Sequence, residues 1–426
     1  MPETSGRASA CTPASTAYAA VKLRQWNEPG AGSIDTLDAR HGAYFARLGS
    51  AEAMRALGRQ QTASTFRALR GELENVAAAC RRAVARGDGE TATATLAAAW
   101  TVLELCGPYA LGVEMGEAVL HVESLTPLQR ARALRCLGAA FGTVGRNEES
   151  VALLLEALAL QRTLGNRRQE GLLRNQVGTR YWALGEMEEA RAQYEASIEI
   201  AREVGNRSGE GASFNNLGLL FAGVGNWSEA REAYLHALAA HHEVGDRKSE
   251  AILLSNLANA HRAAGDLASA ERALEGALEV AREIGYRSQE GVILGAIGSL
   301  RADQGRLEEA RGWMIQAIEV LRGIGEALAE TDVLSGLALI EARAGRLAEA
   351  GAAVNRGESL LKNLPVGREL CRLLVSRGEV ERMAGRRRAA LDAAETAESI
   401  AGRLHGGVGA ELRGAIEELR RALGSE

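Results

Sequence analysis

The stretch that decides the fold is GASFNNLGLLFAGVGNWSEAREAYLHALAAHHEVGDRKSE, residues 211–250. Its first half carries bulky apolar side chains at helical spacing: Phe214, Leu217 and Phe221. Its second half carries a stripe of the same kind: Ala230, Tyr234 and Ala237. Gly225 and Gly245 follow the two stripes, at places where glycine commonly ends a helix in the left-handed conformation. The stretch therefore predicts two helices that pack as a hairpin.

The same pattern returns at a constant interval of about 40 residues. Glycine recurs seven times in succession at this interval: Gly145, Gly185, Gly225, Gly265, Gly305, Gly345 and Gly385. A second glycine series marks the other turn: Gly165, Gly205, Gly245, Gly285 and Gly325. Two further series are small throughout: Gly138, Gly178, Gly218, Ala258, Gly298, Ala338 and Gly378, and then Ala190, Ala230, Ala270, Ala310, Ala350 and Ala390. Such a period indicates a stacked array, in which each hairpin buries its apolar face against its neighbours.

The pattern resembles the tetratricopeptide repeat (TPR). The small and large positions of that family fall here on Leu217, Gly218, Phe221, Ala230, Tyr234 and Ala237. The interval between repeats is longer than the common TPR period, and no proline closes the second helix. This longer form, with its GNR or GDR turn, is similar to Pins-type spindle-orientation adaptors and to the C-terminal sensor arrays of bacterial signal-transduction ATPases of the STAND and maltose-regulator kinds. The resemblance implies an all-α, right-handed α-solenoid of antiparallel helix pairs, with about seven repeats over residues 131–410.

Helical patterns continue on both sides of the array. Residues 38–130 read as a helical N-terminal segment that ends in a degenerate repeat. Its RHGAYF (40–45) and LENVAAACRRAVARGD (73–88) motifs resemble the helical connection between a winged-helix subdomain and the array in those ATPases. Residues 1–37 would then be a disordered start and a helical remnant of that subdomain. Residues 411–426 predict a capping helix with one apolar face: Leu412, Ile416, Leu419 and Leu423.

Composition argues against several classes of protein. The 50 basic and 55 acidic side chains leave a net charge of −5, so there is no general basic surface for nucleic acid. No window is apolar enough for a membrane helix, and the first residues lack the apolar core of a signal peptide. The five scattered cysteines contain no CxxC pair, which favours a reducing cytoplasm over a disulfide framework. The strong preference for arginine over lysine indicates a GC-rich, bacterial genome.

The sequence offers no set of catalytic residues. It contains no GxxxxGK[ST] loop for nucleotide phosphates and no serine nucleophile elbow. Four histidines fall between His236 and His261, but their spacing fits no known metal site. Paired glutamates such as Glu188 and Glu189 recur at the start of second helices, where acidic side chains stabilise the helix dipole. We therefore expect a non-enzymatic protein with no cofactor and no bound metal.

The resemblance also indicates where a ligand would bind. In a TPR superhelix, positions five, six, nine and twelve of each repeat point into the concave groove. In three central repeats these positions are mostly polar: Asn175, Gln176, Thr179, Trp182, Asn215, Asn216, Asn256, Asn259 and Arg262. In the Pins-type adaptors and in bacterial peptide-sensing TPR proteins, asparagines on this face hold the bound peptide. The resemblance therefore implies that Asn175, Asn216 and Asn256 contact a peptide backbone, and in second place Asn215 and Asn259.

The alternative is that these asparagines only keep a solvated groove soluble. Further along the chain the same positions become small, as at Gly295, Ala302 and Ser335. These small residues either widen the groove for a larger group or have no selected role.

Three hypotheses of function follow. The leading one is a non-catalytic scaffold that binds a peptide or protein segment in its groove, as a regulatory or sensor module in bacterial signalling. The second is a small-molecule sensor, for a sugar or a metabolite, from a signalling ATPase or transcriptional regulator whose nucleotide-binding part is absent from this chain. The third is a structural oligomer that forms by self-association of the ends of the array.

Overall fold

The computed structural model describes residues 34–49, 70–362, 367–403 and 410–424, and it shows helices and turns but no strand in these ranges. The predicted N-terminal start, residues 1–37, lies outside the described residues except for its last four. A short 3-10 turn, Arg47–Gly49, follows the first helix. The α-helices are α1 Ile34–Ala46, α2 Leu73–Ala85, α3 Gly89–Cys106, α4 Tyr109–Leu120, α5 Pro127–Thr143, α6 Asn147–Thr163, α7 Arg167–Leu184, α8 Met187–Glu203, α9 Arg207–Gly223, α10 Trp227–Glu243, α11 Arg247–Ala263, α12 Leu267–Glu283, α13 Arg287–Asp303, α14 Leu307–Ile324, α15 Ala327–Arg343, α16 Leu347–Leu361, α17 Arg368–Met383, α18 Arg387–Arg403 and α19 Ala410–Gly424. The all-α prediction is confirmed.

The helices pack as antiparallel pairs within two compact units. One unit is Met1–Gln176 and the other is Val177–Glu426, with the boundary inside α7. In the first unit α5 pairs with α6. In the second, α9, α11, α13, α15 and α17 each pair with the helix that follows them, and each of α8, α10, α12, α14 and α16 also packs on the first helix of the next pair. This is the stacking that the repeat predicts. The proposed division at residue 130 remains a prediction.

The periodic glycines end the helices, as the sequence predicts. After α9 stops at Gly223, Gly225 has a φ of +84°. Its N–H donates to Ala222 O at 3.0 Å, and the N–H of Asn226 donates to Phe221 O at 2.9 Å, which is the pair of hydrogen bonds of a Schellman motif. The other glycines of the two series have φ values between +64° and +84°. Glycine is needed at these turns because a side chain there would strain the backbone.

The small residues of the repeat bring the paired helices close together. A Cβ atom on Gly218 would lie only 2.5 Å from Cε1 of Tyr234, so the ring occupies the space that a larger residue would need. All six alanines of the series from Ala190 to Ala390 are 0% exposed. In the first unit Ser150 takes the alanine position, and its buried Oγ donates to Gly138 O at 2.5 Å. The hydroxyl of Ser150 is therefore satisfied within the close-packed interface.

A series of buried glutamates lies in the first turn of the first helices. Its members are Glu170, Glu210, Glu250, Glu290 and Glu330, with exposed fractions between 3% and 6%. Around Glu290, Arg282 Nε lies 3.0 Å from Oε1 and Arg287 Nη1 lies 2.5 Å from Oε2. A carboxylate removed from water needs such partners because its desolvation is costly. Sequence analysis missed this series, although it recurs once per repeat in the sequence.

Two members of the series keep a nitrogen partner although one of the usual arginines is replaced. At Glu250 the upstream arginine is replaced by His242, whose Nδ1 lies 3.1 Å from Oε1. Near Glu330, Ala327 stands at the position that Arg287 occupies in the preceding repeat. Arg356 of α16 approaches the carboxylate instead, with its Nη2 2.7 Å from Oε1. At Glu330, therefore, an arginine from a different helix takes the place of the missing one.

The described parts of both flanks are helical as well. In the first unit, Trp100 of α3 fills the space beside Gly112 of α4, where a Cβ atom would lie 2.8 Å from the ring. In the second unit, α19 buries its apolar face, and Leu419 packs against Gly378 of α17. Within the described ranges, no helix combines the length and the apolar character that a membrane crossing requires.

Candidate ligand-binding face

Two of the predicted asparagines meet between neighbouring first helices. Asn256 Nδ2 of α11 donates a hydrogen bond to Asn215 Oδ1 of α9, at 3.2 Å. Both side chains are half-buried. The bond uses one of the two N–H groups of Asn256 and one lone pair of Asn215, so both amides keep further hydrogen-bonding capacity. Asn216 lies beside Asn215 on α9 and is half-buried as well, and Asn259 lies further along α11 and is exposed.

We call the residues of the second unit at the predicted positions the amide face. It comprises Thr179, Trp182, Asn215, Asn216, Asn256, Asn259 and Arg262. Asn175 and Gln176 belong to the first unit and are half-buried there. Oε1 of Gln176 is buried and finds no hydrogen-bond partner in the part of the chain that the structure describes. Whether these nine residues form one site stays a prediction.

Thr179 has a structural contact that sequence analysis missed. Tyr194 of α8 is fully buried, and its hydroxyl donates to Thr179 Oγ1 at 3.3 Å. Burial raises the pKa of Tyr194 to about 12, so this hydroxyl stays protonated at neutral pH. Thr179 thus satisfies a buried hydroxyl of its own hairpin.

Arg262 lies near the last turn of α11 and forms an ion pair with the next repeat. Its Nη1 lies 3.4 Å from Oδ2 of Asp303, the last residue of α13. The two side chains are 30% and 42% exposed, so the pair is accessible to solvent and contributes little to stability. Sequence analysis missed Asp303, because its position in the repeat is not among those assigned to the groove. The guanidinium can exchange this carboxylate for that of a ligand.

Trp182 supplies a flat apolar surface at the end of α7. A Cβ atom on Gly223 would lie 3.8 Å from Cζ2 and Nε1 of the indole, so α9 approaches the ring at a residue without a side chain. The indole is half-buried. It can stack on an aliphatic or aromatic group or on a sugar ring.

The small residues further along the chain have packing contacts within the fold, and the two interpretations of their role in a groove both stay predictions. A Cβ atom on Gly295 would lie 2.8 Å from Cγ2 of Val333, which already fills that space. Ser335 is buried, and its Oγ donates to Thr331 O at 2.9 Å. Ala302 is buried as well.

The four central histidines do not form a metal site in the described residues, where no group of three potential ligands is found. His236 stacks on Phe214 with a centroid distance of 4.8 Å. His241 is buried, and its Nδ1 lies 3.1 Å from Oδ2 of Asp246. This hydrogen bond, together with those from Ser249, lowers the pKa of Asp246.

The family of the repeat is shown by comparison with family models. The tetratricopeptide repeat model matches residues 129–203, 169–243, 209–283 and 249–323. Successive matches are displaced by one repeat, as the glycines of each series are. Residues 129–323 are therefore tetratricopeptide repeats. No curated protein matches the sequence significantly.

Solved structures share the fold at low sequence identity. The quorum sensor NprR from B. thuringiensis, in its apo form, is 15% identical with a TM-score of 0.58, over 86% of this chain and 99% of that chain. A Rap protein complexed with Competence and Sporulation Factor is 12% identical with a TM-score of 0.55, over 87% and 99%. A STAND protein with a tetratricopeptide repeat sensor, from Pyrococcus horikoshii, is 13% identical with a TM-score of 0.57, over 93% of this chain but only 56% of that one. At these identities the similarity shows the common fold.

Proposed function

We propose that this protein is a non-catalytic scaffold that binds a peptide or protein segment on the amide face, as a sensor module in bacterial signalling. The observation that carries the proposal is the Asn215–Asn256 hydrogen bond, which holds two half-buried amides side by side between neighbouring helices. Amides both donate and accept, as a peptide backbone does, so they suit an extended segment. The names of the quorum sensor, the Rap complex and the STAND sensor agree with a signal-binding role.

The spacing of the face defines the length of the segment. First helices of neighbouring repeats lie about 10 Å apart, so the three helices from Trp182 to Arg262 span about 20 Å. An extended peptide advances about 3.3 Å per residue, which corresponds to roughly six residues. Trp182 would contact an apolar side chain at one end, and Arg262 a carboxylate at the other. We therefore propose a short segment with an apolar and an acidic residue as the ligand.

The test is selection of peptides from a random heptapeptide library displayed on phage, with the protein immobilised. The Asn215→Ala/Asn256→Ala variant should bind a selected peptide more weakly by about 1–3 kcal/mol, because each lost hydrogen bond contributes about 1 kcal/mol. Asn355→Ala is the matched control, because Asn355 is an exposed asparagine on α16, a second helix outside the amide face. Equal affinity of both variants for the selected peptides would refute the proposal.

A sugar or metabolite is the second candidate, and the exposed side of Trp182 favours it. The indole lies over Gly223 in the same unit as the amides, and the combination of a flat ring with amide groups suits a polar ring compound. A thermal-shift screen over sugars and metabolites distinguishes the candidates. A shift with a sugar that Trp182→Ala abolishes, together with an empty peptide selection, would favour the small-molecule sensor.

A further inference from the structure

Two tyrosines of the second helices occupy equivalent positions behind the amide face. Tyr194 of α8 and Tyr234 of α10 are one repeat apart. Their rings pack on equivalent glycines, since Cβ atoms on Gly178 and Gly218 would lie 2.8 and 2.5 Å from the respective Cε1 atoms. In the following repeats the same position holds aliphatic residues or methionine: Leu274, Met314 and Val354. Two of the three repeats that carry amides on their first helices therefore hold a tyrosine at this position, and the third holds Leu274.

The hydroxyl groups of the two tyrosines differ. Tyr194 is 0% exposed and donates to Thr179, whereas Tyr234 is 2% exposed. The next repeat has Leu219 in place of Thr179, and leucine has no hydrogen-bonding group. Across the described ranges, no residue forms a hydrogen bond with the Tyr234 hydroxyl. This oxygen also keeps some contact with solvent. The hydroxyl of Tyr234 is therefore polar and has no partner among the described residues, and the small exposed area of this side chain includes the hydroxyl oxygen.

The contact of Tyr194 shows where such a ring points. Its hydroxyl reaches Thr179, which occupies position nine of the first helix. By the equivalence of the repeats, the Tyr234 hydroxyl emerges next to Leu219. Leu219 follows Asn215 by four residues, which is one helical turn, so the hydroxyl lies roughly 6 Å along the face from the Asn215–Asn256 hydrogen bond.

We propose that Tyr234 is a further ligand-binding residue, whose hydroxyl donates a hydrogen bond to a backbone carbonyl of the segment on the amide face. The proposal rests on the proposed function and adds a donor to it. Burial raises the pKa of Tyr234, so the group is a protonated donor at neutral pH. A carbonyl that reaches the hydroxyl satisfies a group that the fold leaves unpaired, and Leu219 beside it contacts an apolar side chain of the segment.

Substitution of each tyrosine by phenylalanine tests the proposal, with the peptide selected on the wild-type protein as the probe. Tyr234→Phe should raise the Kd of that peptide about five- to tenfold and leave the thermal midpoint unchanged. Tyr194→Phe is the matched control: it should lower the midpoint, because the buried hydrogen bond between the Tyr194 hydroxyl and Thr179 is lost, and leave the Kd unchanged. Leu219→Thr adds an internal acceptor for the Tyr234 hydroxyl, as Thr179 is for that of Tyr194. This variant should raise the thermal midpoint and weaken the binding of the peptide.

Each contrary result has a definite meaning. If Tyr234→Phe leaves the Kd of the peptide unchanged while Asn215→Ala/Asn256→Ala raises it, the role of Tyr234 is overturned and the proposed function stays intact. A thermal midpoint that falls as far for Tyr234→Phe as for Tyr194→Phe shows an internal partner and also overturns it. A library that returns no peptide dependent on the two asparagines refutes the proposed function, and the ligand contact of Tyr234 with it.

Discussion

The buried glutamates allow a test in which removing two positive charges costs more than removing the negative charge they surround. At Glu290, three variants separate the effects: Arg282→Ala/Arg287→Ala, Glu290→Gln, and the triple variant that combines both alanines with Glu290→Leu. The first leaves the carboxylate without its partners, the second removes the charge, and the third replaces the whole ion cluster by an apolar side chain. The order of their free energies of unfolding depends on whether each lost charge is buried or exposed.

The loss of stability expected for each variant follows from the exposed fraction of the side chains that carry the charges. The Glu290 side chain is 7% exposed, whereas Arg282 and Arg287 are 53% and 55% exposed. The double alanine variant leaves a desolvated carboxylate unpaired, which costs about 3 kcal/mol. In Glu290→Gln the arginines return to water, so the loss is about 1 kcal/mol. Leucine in the triple variant removes the buried charge itself, and its stability should lie within about 1 kcal/mol of wild type.

Amide hydrogen exchange of α13, Arg287–Asp303, is the suitable assay, because stacked repeats open locally and a global midpoint averages over them. A loss of about 3 kcal/mol accelerates exchange by about a hundredfold in the double variant. Arg306→Ala is the control: its pair with Glu309 is half exposed and its loss costs less than about 1 kcal/mol. The reasoning is refuted if the double variant is no less protected than Glu290→Gln, or if leucine fails to restore protection.

Three further predictions concern the packing, the turns and the pH dependence. Gly218→Ala should destabilise the second unit by about 2 kcal/mol, because its Cβ would lie 2.5 Å from Tyr234 Cε1. Adding Tyr234→Leu should restore the thermal midpoint, since Ala258 and Leu274 are that pair in the next repeat, and no recovery would contradict the packing argument. Gly225→Ala places a side chain at a φ of +84° and should lower the local stability by about 1–2 kcal/mol. The measurement is amide hydrogen exchange at the end of α9, which should become faster; unchanged exchange would show that the turn tolerates a side chain. Asp246 has a lowered pKa through its hydrogen bonds with His241 and Ser249, so it stabilises the fold above its unfolded value of about 3.9 and loses that contribution as the pH falls. The thermal midpoints of wild type and Asp246→Asn should therefore differ at pH 6 and converge toward pH 3, and a difference that stays constant with pH would contradict this assignment.

Much of the fold could be predicted from the sequence because the repeat records the same local requirements many times. The glycine series marks turns at positive φ, and the alanine series marks the closest contacts between helices. Both requirements are local or concern one hairpin, so each repeat states them in its own residues. The buried glutamates were equally visible as a period, but charged residues are normally assigned to the surface. Only the structure shows that Glu290 lies under two arginines.

The candidate site was less accessible to sequence reasoning. Resemblance suggested which positions line the groove, but it could not show that Asn256 bonds to Asn215, 41 residues earlier. Nor could it separate Thr179, which satisfies the hydroxyl of Tyr194, from Leu219, which leaves that of Tyr234 without a partner among the residues that the structure describes. The sequence by itself determined the helices, their turns and the period of stacking, because these depend on backbone conformation and side-chain size within one repeat. Only the tertiary structure decided which polar groups pair and which stay accessible, because that depends on atoms from neighbouring helices that the chain brings together in space.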